Sequence, residues 1–67
     1  METYRRKRIL VVDDTLGIRY TLHSILTSEG FDVDTAANGA VAQGMLSNQY
    51  DLLLIDIRMP VLTRSVF

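Results

Sequence analysis

Residues 9–14 have the sequence "ILVVDD", in which four apolar residues lead directly into two aspartates. A short run of this kind, rich in β-branched side chains, is typical of a parallel strand that is buried on both faces. Residues 50–56, "YDLLLID", repeat the pattern, with four apolar residues leading into Asp56. The sequence therefore predicts two buried strands, 9–13 and 51–56, each ending in a carboxylate.

Two helical segments and a further strand are predicted between these strands. Residues 15–30 have apolar residues at helical spacing, and Gly30 is suited to end the helix in the left-handed region. Residues 31–36 alternate apolar and polar side chains, which is typical of a half-exposed strand. Residues 38–49 predict a weaker helix that begins at Asn38 as its cap.

Strands that alternate with helices predict βαβ units and a parallel sheet, so the fold class is α/β. Right-handed crossovers limit the topology. With the two apolar strands inside and the half-polar strand at an edge, the predicted spatial order is 2-1-3. The strand order then reverses between the first and third strands.

Length and composition limit the classes of protein to consider. The chain has 67 residues, which is one small domain or part of a larger one. It has no cysteine, which excludes disulfides and thiolate metal sites. The net charge of −1 gives no overall attraction to nucleic acid or membrane surfaces, and the apolar runs fall short of the ~18 residues that a membrane span requires. We expect a cytoplasmic protein with no membrane partner.

The acidic residues that follow the two apolar strands are the candidate site. Ligands of open α/β sheets bind beyond the carboxyl ends of the strands, where the strand order reverses. Asp13, Asp14 and Asp56 are expected to converge there, with no basic residue among them. One such aspartate alone would more often be a turn or helix cap, but two acidic strand ends at one crevice favour a site. Like charges this close require a cation or a proton, and a hard ion such as Mg²⁺ suits oxygen ligands.

Four motifs together resemble a known family. "ILVVDD", "GIR", "AANG" and "DLLLIDIRMP" look like the first half of a response-regulator receiver domain of two-component signalling, over residues 8–60. The resemblance implies a β-α-β-α-β portion of a flavodoxin-like doubly wound parallel sheet, with strands 4 and 5 absent. It divides the chain into a basic leader (1–8), the N-terminal half of a receiver domain (9–60) and a tail that does not match the family (61–67).

The resemblance also implies a role for each site residue. Asp56 would be the phosphoacceptor, taking a phosphoryl group from a histidine kinase or histidine phosphotransfer protein in the presence of Mg²⁺. Asp14 would bind the ion directly, Asp13 would order the site as an indirect ligand, and the main-chain carbonyl of Arg58 would complete the protein ligands. The face that docks the donor would include Leu16, Gly17, Arg19 and Tyr20.

The sequence departs from the family after "MP" at 59–60, where "VLTRSVF" replaces the expected continuation. The family's lysine and its Ser/Thr therefore have no counterpart, and the one lysine, Lys7, precedes the first strand by ~20 Å of extended chain from Asp13. Losing one preorganised charge donor typically costs ~10²–10³ in rate, so Mg²⁺-dependent self-phosphorylation by this chain alone is expected to be poor. The apolar strand 51–56 would also lack its outer neighbour, which predicts self-association through that strand.

Other functions remain to be weighed. The main alternative is a non-catalytic truncated receiver that acts only as an association module. A haloacid dehalogenase-type hydrolase would need an aspartate where Arg58 stands, and a dinucleotide-binding fold would need G-x-G-x-x-G after the first strand, where "DDTLG" stands. The basic residues 5–8 could contact phosphates, but short basic leaders are usually solvated, so nucleic acid is expected only through an effector domain outside this chain.

Overall fold

The structure, a computed structural model, describes residues 5–56. In this part of the chain three strands alternate with two α-helices, as the sequence predicts. The elements are β1 (Arg8–Val12), α1 (Leu16–Ser28), β2 (Asp32–Ala36), α2 (Gly39–Met45), a 3₁₀ turn (Leu46–Asn48) and β3 (Leu52–Ile55).

The three strands form a parallel sheet in the order β2-β1-β3, which confirms the predicted α/β class and strand order. In the register of the sheet, Val12 of β1 lies beside Ala36 of β2 and Ile55 of β3. The carboxyl ends of β1 and β3 are therefore level, and the residues that follow them emerge side by side where the strand order reverses.

β1 is buried on both faces, as its apolar run predicts. Ile9, Leu10, Val11 and Val12 are each exposed by 3% or less. Leu10 and Val12 pack with Ala42 on the face that α2 covers. Because burying a side chain of this size contributes about 1.5–3 kcal/mol, β1 is the main source of stability in the sheet.

β3 is not the fully buried strand that its composition predicts. Leu52, Leu53 and Ile55 are exposed by 49%, 38% and 44%. The reason is the position of the two helices, which pack mainly over β1 and β2. Among the described residues, β3 thus forms one edge of the sheet.

The helix ends follow the local sequence with one exception. Gly30 has φ +100°, which confirms the left-handed end predicted for α1. Asn38 accepts a hydrogen bond from the main-chain N–H of Val41 at 2.9 Å, which confirms it as the cap of α2. The predicted helix 38–49 is too long, because α2 ends at Met45 and continues only as a 3₁₀ turn. Gly44 weakens that last turn, since glycine costs up to about 1 kcal/mol in a helix.

A polar cluster joins the strands at the opposite end from the candidate site. The main-chain N–H of Arg8 donates to Asp51 at 2.7 Å, and its guanidinium lies 5.2 Å from the centre of the Tyr50 ring. The Tyr50 hydroxyl donates to Asp34 at 2.6 Å. Partial burial, together with this bond to the Asp34 carboxylate, raises the pKa of the Tyr50 hydroxyl.

The basic leader contributes to the same end of the molecule. Arg5 lies 3.7 Å from Asp51, and Arg6 lies 3.8 Å from Asp32. Exposed ion pairs of this kind contribute at most about 1 kcal/mol each to stability. They nevertheless place two positive charges of the leader next to carboxylates of the same chain.

None of the helices in residues 5–56 is long and apolar enough to cross a membrane.

Candidate metal centre

The structure brings together the three aspartates that follow β1 and β3. One carboxylate oxygen from each of Asp13, Asp14 and Asp56 lies within 4.8 Å of the others. Asp13 and Asp14 follow β1, and Asp56 follows the neighbouring strand β3. The convergence expected from the two apolar strands is therefore present.

Asp13 is the most firmly held of the three. It is 6% exposed, and its main-chain N–H donates to the carbonyl of Ala36 at 3.1 Å. Its Oδ1 accepts from the main-chain N–H of Thr15 at 2.8 Å, and its carbonyl accepts from Nη1 of Arg19 at 2.8 Å. A carboxylate accepts more than one hydrogen bond, so Asp13 keeps the capacity to face a ligand or its water.

The other two aspartates lie nearer the surface. Asp14 is exposed. Its Oδ1 accepts a long hydrogen bond, 3.4 Å, from the hydroxyl of Thr15. Asp56 is half-buried, and its main-chain N–H donates to the carbonyl of Val12 at 2.9 Å. This bond ties the residue after β3 to the end of β1. The exposure of the three side chains thus increases from Asp13 through Asp56 to Asp14. A ligand can approach the site from the side of Asp14.

The donor set fits a hard divalent cation. At this separation each pair of carboxylates repels by between about 1 and 3 kcal/mol, depending on the effective dielectric constant, and a cation would offset that repulsion. Mg²⁺ binds oxygen at about 2.1 Å, so two ligands on opposite sides of one ion lie about 4.2 Å apart. A spread of up to 4.8 Å therefore suits an ion held by two carboxylates directly and by the third through water.

One predicted ligand lies outside the described residues. The main-chain carbonyl of Arg58 and the tail 61–67 belong to the part of the chain for which the structure gives no description.

The predicted partner face divides into two parts. Leu16 and Tyr20 are 70% and 71% exposed, and Gly17 is exposed beside them. Arg19 instead turns toward the site and binds the carbonyl of Asp13. This bond brings a guanidinium to the main chain beside the carboxylates, which the sequence alone did not predict. The sequence motif "GIR" placed this arginine on α1, but its direction depends on how α1 is rotated over the sheet.

Open apolar grooves lie on both faces of β3. One, of about 400 Å³, runs between α1 and β3 and reaches Asp13 and Asp56; it is lined by Val11, Val12, Asp13, Ile18, Leu22, Leu54, Ile55 and Asp56. A second groove, of about 410 Å³, lies between α2 and β3. Considering residues 5–56 alone, apolar side chains of β3 thus border open space on each side of the sheet.

Comparison with known proteins identifies the class to which this fold and site belong. Residues 9–63 match the family described as "Response regulator receiver domain". The chain belongs to this family, as its motifs predict.

Particular relatives support the same assignment. The chain is 44% identical over 55 residues to the transcriptional regulatory protein CpxR homolog of Haemophilus influenzae, which covers 82% of this chain and 24% of that protein. It is 38% identical over 55 residues to sporulation initiation phosphotransferase F of Bacillus subtilis, which covers 81% of this chain and 44% of that protein. The chain thus spans between a quarter and a half of the length of these relatives.

A solved structure confirms the fold. Chemotaxis protein CheY4 of Vibrio cholerae superposes with a TM-score of 0.81 and 33% sequence identity, over 85% of this chain and 48% of that one. The predicted portion of a flavodoxin-like doubly wound sheet is confirmed by this match and by the strand order. The coverage of about half of that chain is consistent with the expectation that residues 9–60 correspond to the N-terminal half of a receiver domain.

Proposed function

We propose that this chain is a phosphoacceptor module of a two-component phosphorelay, in which Asp56 takes a phosphoryl group from a phosphohistidine. The donor would be a histidine kinase or a histidine phosphotransfer protein. The observation that carries the proposal is the convergence of Asp13, Asp14 and Asp56 at the carboxyl end of the sheet, in a chain that belongs to the receiver family.

The proposed reaction is a nucleophilic displacement at phosphorus. A carboxylate oxygen of Asp56 attacks the phosphorus in line, and the P–N bond of the phosphohistidine breaks with its electron pair passing to the imidazole nitrogen. The product is an aspartyl phosphate. The main-chain bond from Asp56 to Val12 supports this role, because it restrains the nucleophile while the half-buried side chain stays accessible.

The acidic residues would hold Mg²⁺ as the reaction requires. Asp14 and Asp56 would bind the ion directly, and Asp13 would act through water or by ordering the turn. When bound, the ion neutralises charge among the carboxylate and phosphoryl oxygens. The hydrogen bond from Thr15 to Asp13 supports the indirect role, because it already occupies one oxygen of that carboxylate.

The exposed part of the first turn of α1 would meet the donor. Leu16 and Tyr20 present apolar and aromatic surface next to the site, and partners commonly bind through exposed side chains of this kind. Gly17 adds no side chain that would keep the partner's backbone away.

The transfer is expected to be slow in this chain alone. Its one lysine, Lys7, precedes β1, and its main-chain carbonyl accepts from Asp32 at the amino end of the sheet, opposite the site. Without a lysine at the site, we expect a rate ~10²–10³ below that of a site with one.

Labelling with a small phosphodonor tests the proposal. The full chain is incubated with Mg²⁺ and acetyl phosphate, and its intact mass is measured with and without a chelator. We expect one acid-labile phosphoryl group per chain, which Asp56→Asn and the chelator abolish. Asp32→Asn is the matched control, because it removes an exposed carboxylate at the other end of the sheet and should leave labelling unchanged. Equal labelling of Asp56→Asn would contradict the proposal.

The exposed surface of β3 favours a second candidate function. Leu53 and Ile55 line the open grooves, and Leu52 is also exposed, which supports a module that associates with kinases or other receivers without accepting phosphate. A folded chain that binds a kinase but gains no phosphoryl group, even over long incubation, would favour this candidate.

A further inference from the structure

We propose that Arg19 is a positioning residue for the acidic site: it holds the main chain that carries Asp13 and Asp14. This inference rests on the proposed function, because it concerns the metal site on which that function depends. Arg19 would therefore serve the metal site and not only the docking of a partner.

The hydrogen bond of Arg19 carries the inference. Nη1 of Arg19 donates to the carbonyl of Asp13 at 2.8 Å in a partly buried position. The donor is charged, so the bond is roughly twice as strong as one between neutral groups. Arg19 itself is half-buried, whereas its neighbours Leu16 and Tyr20 point to solvent.

The contact acts on the turn between β1 and α1. The same turn is closed from within by the bond between Thr15 and Oδ1 of Asp13, and it is joined to β2 by the bond between Asp13 and Ala36. Arg19 adds a third attachment, from α1, next to the peptide unit that leads into Asp14. Loss of a group that orients a metal ligand typically weakens metal binding 10–100-fold.

The charge of Arg19 has the opposite effect on a cation. A guanidinium beside the site repels a divalent ion, so removal of the charge alone would tighten metal binding. The direction of the change therefore separates a positioning role, which predicts weaker binding, from a purely electrostatic one, which predicts tighter binding. A residue that only docks a partner predicts no change.

Titration with Mn²⁺, followed by electron paramagnetic resonance of the free ion, measures this direction without any phosphoryl transfer. We expect the full chain carrying Arg19→Met to bind Mn²⁺ about 10-fold or more weakly than the wild type. Arg19→Lys keeps a charged donor and should recover part of the affinity. Arg6→Met is the matched control, because it removes the same charge at the far end of the sheet, beside Asp32, and should leave affinity unchanged.

Amide hydrogen exchange of the metal-free chain gives a second readout. In Arg19→Met the Thr15 N–H, which is bonded to Asp13, should exchange at least several-fold faster. The Val41 N–H, which is bonded to Asn38 in the same manner, should keep its rate and so report that the fold is intact. If Arg19→Met does not fold, the comparison of Arg19→Lys with the wild type takes its place, with weaker Mn²⁺ binding and faster Thr15 exchange expected.

The outcomes distinguish this inference from the proposed function. Wild-type binding of Mn²⁺ that Asp14→Asn weakens, combined with unchanged or tighter binding in Arg19→Met, overturns the role of Arg19 alone. A folded wild-type chain that binds no Mn²⁺ overturns the metal site and with it the role of Arg19. Faster exchange at Thr15 without weaker Mn²⁺ binding also overturns the inference, because the contact would then serve the fold and not the site.

Discussion

Two aspartates at opposite ends of β3 show how neighbours decide the role of one residue type. Asp51 precedes the strand, and its side-chain carboxylate accepts a hydrogen bond from the main-chain N–H of Arg8 at 2.7 Å. The guanidinium of Arg5 lies 3.7 Å from the same carboxylate. Asp56 follows the strand and lies with two other carboxylates. Asp51 is therefore surrounded by donors and positive charges that stabilise its carboxylate, whereas Asp56 belongs to a cluster of carboxylates that could hold a cation.

Asp51 should make stability depend on pH in the acid range. The hydrogen bond from the Arg8 main chain, with the nearby cations, lowers the pKa of Asp51 below its usual value of 3.8. The carboxylate form therefore stabilises the fold above pH 3.8, and this contribution is lost as the pH falls through the lower, folded-state pKa. We expect the stability difference between wild type and Asp51→Asn to shrink between pH 5 and the acid limit.

Urea unfolding monitored by circular dichroism at several pH values measures this difference. The free energy of unfolding of each protein is then plotted against pH. If the difference between the two proteins stays constant as the pH falls below about 4, the assigned role of Asp51 is contradicted.

The site residues differ in how far sequence alone could predict them. Asp13, Asp14 and Asp56 were predictable because parallel strands of known order bring their carboxyl ends to one edge. The contact of Arg19 with Asp13 was not, because it depends on the rotation of α1 and on one choice of side-chain conformation. The pairing of Arg5 and Arg6 with carboxylates was equally hidden, since those partners lie on other elements.

At the scale of elements, α2 is the shorter of the two helices in the described fold. It has seven residues, and of its side chains only Ala42 is buried. Its spacing of apolar residues predicted a helix correctly, but spacing says little about where a helix ends. The burial of β3 was also predicted wrongly. An apolar run indicates that a strand can be buried, but it does not indicate which element covers it.

Replacement of Gly44 by alanine should stabilise the chain. A Cβ at Gly44 meets no atom within 4 Å, and alanine is favoured over glycine by up to about 1 kcal/mol inside a helix. Because Gly44 lies near the end of α2, we expect a gain of about 0.5 kcal/mol in the free energy of unfolding, measured by urea denaturation.

Gly30→Ala is the matched control for this prediction. It also has open space around the added methyl group, but φ at Gly30 is +100°, where an L-residue is strained. We expect this variant to lose about 1 kcal/mol. Equal effects at the two glycines would show that backbone conformation does not control the outcome.

At the scale of the whole molecule, the sheet is covered unevenly. α1 and α2 cover β1 and β2 from opposite faces, while the apolar side chains of β3 border two open grooves. An exposed apolar strand at the edge of a sheet readily pairs with another chain. Within residues 5–56 the sheet is therefore covered over β1 and β2 and open along β3.

We predict that the isolated chain self-associates through β3. Light scattering coupled to size-exclusion chromatography should give a mass above that of the monomer at micromolar concentration. Leu53→Lys places a charge on the exposed strand and should shift the protein toward monomer. Leu16→Lys, which changes a more exposed leucine on α1, should not. A wild-type chain that is folded and monomeric under these conditions would contradict the prediction.

Chemical localisation of the phosphoryl group tests the proposed acceptor most directly. The wild-type chain is treated with Mg²⁺ and acetyl phosphate and then with borohydride, which reduces an aspartyl phosphate to homoserine, and the peptides are sequenced by tandem mass spectrometry. We predict homoserine at position 56 and unmodified aspartate at positions 13, 14 and 32. Homoserine at another position, or none in a sample shown to be folded, would contradict the assignment of Asp56 as the phosphoacceptor.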